Sequence, residues 1–340
     1  MKPLRTPATL LALLLAASAA AADGFASFAS DGGGQAWRET LTPHFTIHHQ
    51  TVWLPPGLTM GVEKVHFRLE MDLGMFSSWP SKGRINFYLY KDLQSYEAGE
   101  FHPPAWSNGL AVYDRNAVAI PAMKKTSQIL RVFAHETTHL VFVNYFHEAH
   151  RDPPNWLNEG LAMLEEAPSP DRPQASQWYQ NMVAMDPAKW FPMDAFFRTS
   201  PMRDLGNDKG RVAVFYIQAY SIVQFLVRQH SRLQFKAFCS DLRDGLSAAE
   251  ALRLVYHYRS PQEFEKRWRQ WLADPVHKRR VAALAPGEVS SGDGVIDRAG
   301  GPGSAGAFGG FSNSFSKGWE IKPRMVFPTK ASAPAPGASE

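Results

Sequence analysis

The stretch whose reading decides the fold runs from Thr126 to Glu166: TSQILRVFAHETTHLVFVNYFHEAHRDPPNWLNEGLAMLEE. From Ile129 to Phe146 it has no Gly or Pro and is rich in apolar residues, which predicts a mostly buried helix. Thr126 or Ser127 is expected to cap its start. On that helix His135 and His139, four apart, project from one face about one turn from each other. The spacing lets two imidazole nitrogens meet one tetrahedral zinc ion. Glu136 stands beside His135, within reach of a metal-bound water as a general base without being a ligand itself. Pro153 and Pro154 break the chain, and a second helix is expected to begin near Asn155. That helix carries Glu159, 20 residues beyond His139, as the third protein ligand. Two His and one Glu leave a fourth position for water, the arrangement of a hydrolytic rather than a structural zinc.

H-E-T-T-H at 135–139 followed by W-L-N-E-G-L-A at 156–162 resembles the gluzincin metallopeptidases. In that branch of the zincins the third ligand is a Glu on the helix after the motif. The closest resemblance is to the peptidase-MA-like group of exported bacterial proteins. It extends to Phe215–Ser221, to Asp244-Gly245 with Glu250-Ala251-Leu252, and to Phe264–Trp268, which are similar to the helices closing the catalytic domain there. The resemblance implies a zincin-like fold, one zinc ion, and hydrolysis of peptide bonds in a peptide or protein substrate. It further implies that Tyr216, one turn before Tyr220 on an apolar helix predicted over Val212–Val227, donates its phenol to the oxyanion. Two positions depart from relatives. Thermolysin-like enzymes carry an Asp four residues after the Glu ligand, where Met163 stands. The Gly-x-Met-Glu-Asn segment of certain aminopeptidases is missing upstream, where Asn108–Val112 stands. By resemblance, Asn108–Val112 is the strand edge along the substrate cleft, where a peptide can add by backbone pairing.

Elsewhere in the first half, His44–Thr51 alternates as a strand, Thr59–Leu73 reads as a helix, and Arg84–Tyr90 as a central strand. Leu110–Tyr113 and Ala117–Pro121 pair as a hairpin across Asp114-Arg115-Asn116. His44, His48 and His49, with no matching carboxylate nearby, read as surface residues, and His147, Glu148 and His150 as an exposed helix end. Glu166, seven after Glu159, shares its face and is placed either to orient a ligand imidazole or to end the helix in solvent. Pro168–Asp208 shows no period but many aromatics, expected in the core or as cleft wall. Leu233–Leu272 supplies further helices, with Gly245 at a turn and Ser260-Pro261 at a helix start.

Composition bounds the rest. Met1–Ala22 has the positive start, short apolar run and small-residue end of an export signal. The formal net charge of +4 loses Lys2 and Arg5 with that segment, leaving the chain near neutral. No basic block interleaved with aromatics occurs, so nucleic acid is not the expected partner. The single cysteine, Cys239, excludes an internal disulfide framework and reads as a buried thiol. From Pro286 onward Gly, Ser, Ala and Pro dominate, a composition that buries too little apolar surface to offset its ordering entropy. The expected organisation is a signal peptide over 1–22, a polar linker over 23–40, an α+β zincin-like catalytic domain over 41–284, and a disordered tail over 285–340. Its sheet lies in the first half, its helices in the second, and zinc between them. The expected location is the periplasm or the exterior, with no stable membrane insertion once the signal is cleaved. Two alternatives stand beside the peptidase: a zinc-binding but inactive interaction module, and a zinc hydrolase of cell-wall amides.

Overall fold

The computed structural model describes residues 37–76, 83–103, 107–167, 172–206 and 208–284. The leader, most of the polar linker and the tail lie outside these residues.

The first half builds a mixed sheet. β1 (Arg38–Leu41), β2 (Phe45–His49), β3 (Ile85–Tyr90), β4 (Leu110–Val112) and β5 (Ala117–Pro121) line up in the order β1-β2-β3-β5-β4. β3 is central, as its Ile-Asn-Phe-Tyr-Leu-Tyr pattern predicts, and pairs parallel with both β2 and β5. β4 returns antiparallel to β5 across a short turn at Tyr113–Asn116 and forms one edge. Asn116 takes the left-handed conformation, φ 45°, that such a turn requires and that Asn tolerates. β1 begins inside the stretch read as linker. Its Arg-Glu-Thr-Leu lacks alternation and is mostly exposed, so the signal for a strand was not in its side chains.

Helices α1 (Leu58–Leu73), the short α2 (Leu93–Glu97) and α3 (Thr126–His147) accompany the sheet. α3 packs on β4 and β5 on one side and on α1 on another, which explains its nearly continuous apolar character. Neither Thr126 nor Ser127 caps it. Lys125 precedes the helix, and its backbone N–H donates to Gln128 Oε1 at 3.3 Å. The Thr126 hydroxyl instead donates to the Pro56 carbonyl, tying α3 to the turn before α1.

The second half is helical: α4 (Asn155–Glu165), α5 (Gln177–Ala184), α6 (Met193–Arg198), α7 (Lys209–Gln229), α8 (Arg232–Arg243), α9 (Ala248–Tyr256), α10 (Pro261–Leu272) and α11 (Pro275–Ala282). α7 is its axis. By length and composition it could cross a membrane, but 72% of its most apolar window is buried in the protein, so it is a core helix. α4 lies against α7 through Gly160, where an added Cβ would stand 2.6 Å from the Ala219 carbonyl oxygen. Only glycine allows that approach. The aperiodic segment contributes rings to the core: Phe196 packs on Phe215 at 5.0 Å, and Trp190 on Trp268 at 5.3 Å. Ser260 caps α10 ahead of Pro261, and Gly245 turns the chain at φ 104°, both as the sequence predicts.

Candidate metal centre

α3 and α4 cross so that His135, His139 and Glu159 each bring one ligand atom within 4.8 Å of the others. His135 and His139 share a face of α3, with Nε2 atoms 3.0 Å apart. Glu159 Oε2 lies 3.8 Å from His135 Nε2 and 4.0 Å from His139 Nε2. Thr137 and Thr138, between them in sequence, are fully buried on the far side of the helix and donate to the carbonyls of Phe133 and Ala134. The pentapeptide thus divides into a chemical face and a packing face.

The outer nitrogens fix what the inner ones offer. His135 Nδ1 donates to Glu166 Oε1 at 2.7 Å, and His139 Nδ1 to Asn158 Oδ1 at 3.0 Å. With the Nδ1 atoms donating outward, both Nε2 atoms face inward, where they meet in a hydrogen bond. Glu159 Oε2, also buried, has no hydrogen-bond partner. Two imidazole nitrogens and a carboxylate oxygen converging in this way form a donor set that a zinc ion fits. Burial opposes charging His135, but the Glu166 hydrogen bond and the nearby carboxylates raise it to about 9. Burial and the His135 charge lower His139 to about 4. Near neutrality the pair therefore holds one extra proton, in the Nε2–Nε2 contact, which an ion bound there would displace.

At Met163, where thermolysin-like enzymes carry an Asp, no carboxylate stands, and Glu166 is the one that meets His135. Met163 is buried, whereas Glu166, two turns beyond Glu159 on the same face, reaches His135. Burial raises the Glu166 carboxyl, but the His135 hydrogen bond and charge, Arg131 and the Trp178 indole outweigh it and hold it below its ordinary value. Trp178 Nε1 donates to Glu166 Oε2 at 3.1 Å, and Arg131 approaches the same oxygen at 3.4 Å. Asn158, Arg131 and Trp178 were not foreseen. Asn158 adjoins Glu159 in sequence, and that adjacency was the one signal for it. Trp178 comes from the aperiodic segment and carried no signal.

Glu136 points toward the sheet edge. An added Cβ on Gly109 would meet Glu136 Cγ and Oε1 at 2.9 Å and Val132 Cγ1 at 2.5 Å, so glycine lets the backbone leading into β4 press against this carboxylate. Burial raises the Glu136 pKa against the lowering pull of His135 and His139. A carboxylate tuned upward beside a metal site suits proton transfer near neutrality. Tyr216, from α7, is fully buried, and the charge of Glu159 adds to burial in raising its phenol. Tyr220 sits beside Tyr179 and Ser176 instead.

The other histidines lie apart from this centre. His44 pairs with Glu63 at 2.6 Å and stacks on His66, and His49, on the inward face of β2, is 5% exposed. His49 is therefore a core group rather than a surface one, because the strand period turns it inward, whereas His44 keeps a partly exposed ring. His147 bonds Asp152 at 3.0 Å at an open helix end. Cys239 is buried and free, with burial pushing its thiol up.

A family model described as the Peptidase MA superfamily matches residues 67–274, a span that covers both α3 and α4. With more than half of its length matched, the chain belongs to the Peptidase MA superfamily. Within it the chain stands with the gluzincin-like, peptidase-MA-like group, and its α+β architecture is zincin-like. No curated protein matches the sequence significantly.

Proposed function

We propose that the chain is an exported zinc metallopeptidase that cleaves peptide bonds in a peptide or protein substrate. The observation carrying this reading is the convergence of His135, His139 and Glu159 beside the Glu136 carboxylate. One zinc ion held by these three side chains would polarise the scissile carbonyl and acidify a water molecule. Glu136 takes the proton of the attacking water and returns it to the leaving amine nitrogen. Glu166 and Asn158 hold the two imidazoles with Nε2 inward, and Arg131 and Trp178 hold Glu166. β4, antiparallel to β5 at the edge and abutting Glu136 through Gly109, offers backbone groups to an extended substrate. Tyr216, beside Glu159, supplies the oxyanion donor. The leader directs the chain to the periplasm or exterior. Metal analysis of the mature protein paired with digestion of a mixed-peptide library tests the reading. One zinc per chain with cleavage supports it; zinc without turnover of any peptide overturns it.

A further inference from the structure

α1 breaks the rule that a helix on the surface presents a polar outer face. Its inward side packs on α3, yet Met60, Phe67 and Met71 are 61%, 66% and 57% exposed. Their spacing of seven and four places them in one stripe along the helix. In the segment before the helix, Val52 and Trp53 are 60% and 84% exposed, and Leu233, next to Arg232 at the start of α8, is 78% exposed. Arg232 binds the stripe's end to α8 by donating to the carbonyls of Met71 and Asp72. Single exposed apolar residues need no explanation, but three aligned along one helix face do.

The charges around the row identify what it fits. Lys64 stands within it, one turn from Met60. Lys124 and Lys125, both exposed, sit at the amino-terminal end, where Thr126 is bonded to Pro56. At the other end Arg232 and Lys236 are exposed, and Lys236 shares a helix face with Leu233. On the acidic side, Glu63 is engaged by His44, and Glu70 is exposed beside Met71. Aromatic and thioether side chains at the centre with lysines and arginine at both ends match an anionic lipid surface, which takes apolar groups at the headgroup level and attracts cations there.

We propose that the outer face of α1, with Trp53 and the start of α8, is a docking surface for an anionic membrane. The contact is peripheral, with side chains at the headgroup level and no segment spanning the bilayer. It does not depend on the peptidase reading.

Protein recovered after export is sedimented with vesicles of phosphatidylethanolamine and phosphatidylglycerol, and separately with vesicles of phosphatidylcholine alone. The protein is expected to follow the anionic vesicles at low salt and to remain in solution with phosphatidylcholine. Phe67→Ser with Met71→Ser should lower the bound fraction about tenfold. Lys64→Glu with Lys124→Glu and Lys125→Glu should lower it and flatten its salt dependence. Because all these side chains are exposed, melting temperature and zinc content should match wild type in each variant. Binding that survives the Phe67→Ser and Met71→Ser pair overturns the proposal, as does sedimentation with neither vesicle. A dimer by light scattering that the same pair dissociates also overturns it, assigning the face to a second copy of the chain.

Discussion

Each imidazole of the proposed centre is held by a second residue, and that residue decides which nitrogen faces inward. Glu166 does this for His135, and it sits at the end of a chain of contacts running back to Arg131 and Trp178. Glu166→Gln keeps the shape but removes the charge that favours an inward lone pair on His135. Zinc affinity, read by competition with a chelator, should fall about 10–100-fold. Trp178→Phe should lower it less, in the same direction; unchanged affinity in both would remove the support assigned to this network. Tyr216 carries a different expectation. Tyr216→Phe should reduce kcat by a factor on the order of 10²–10³ with zinc content unchanged, whereas Tyr220→Phe, beside Tyr179, should leave kcat near wild type. If Tyr216→Phe loses zinc instead, its phenol supports Glu159 and does not meet the substrate.

Among the elements, the contact of α4 with α7 fixes Glu159, because Gly160 is the next residue and its Cα lies against the Ala219 carbonyl. Gly160→Ala must move α4 or strain it, a cost of about 1–3 kcal/mol, so the melting temperature should drop by a few to about ten degrees. Zinc affinity should fall with it; a melting temperature equal to wild type would show that the contact yields freely. Much of this arrangement was legible in the sequence. The four-residue spacing of His135 and His139, the Pro153-Pro154 break and the apolar run from Ile129 all carry local physics, and helices and hairpin fall where those signals place them. What was not legible depends on distant partners. Glu166 could be read equally as solvated until Trp178 and Arg131 closed around it. His49 hydrogen-bonds its near neighbour Thr51, but the elements that cover the inward face of β2 are distant in sequence, so its burial was not legible. The strand β1 and the helices α5 and α6 form without a period of their own, being shaped by what they pack or pair against.

For the molecule as a whole, an ionisable junction on the far side of α4 sets a pH dependence. Glu165 lines a cavity of about 120 Å³ with Arg68, Asp72, Arg228 and Arg232. Burial, with Asp72 adding to it, outweighs the three guanidinium groups and raises Glu165 from 4.5 to about 7. A carboxyl with a raised folded pKa favours folding while neutral, so its contribution is full below about 4.5 and is lost as pH climbs through about 7. Glu165→Gln removes that loss. Its melting temperature relative to wild type should therefore be higher at pH 8 than at pH 5; a difference independent of pH would contradict the assignment. The central claim is that one centre binds zinc through three side chains and moves a proton through a fourth. Glu136→Gln tests it most directly, by turnover of a peptide that wild type cleaves, measured on protein shown to hold one zinc. The account predicts that zinc remains bound while hydrolysis falls by at least about 10²-fold, the usual scale of a general base. Wild-type turnover by the zinc-loaded Glu136→Gln protein would contradict it.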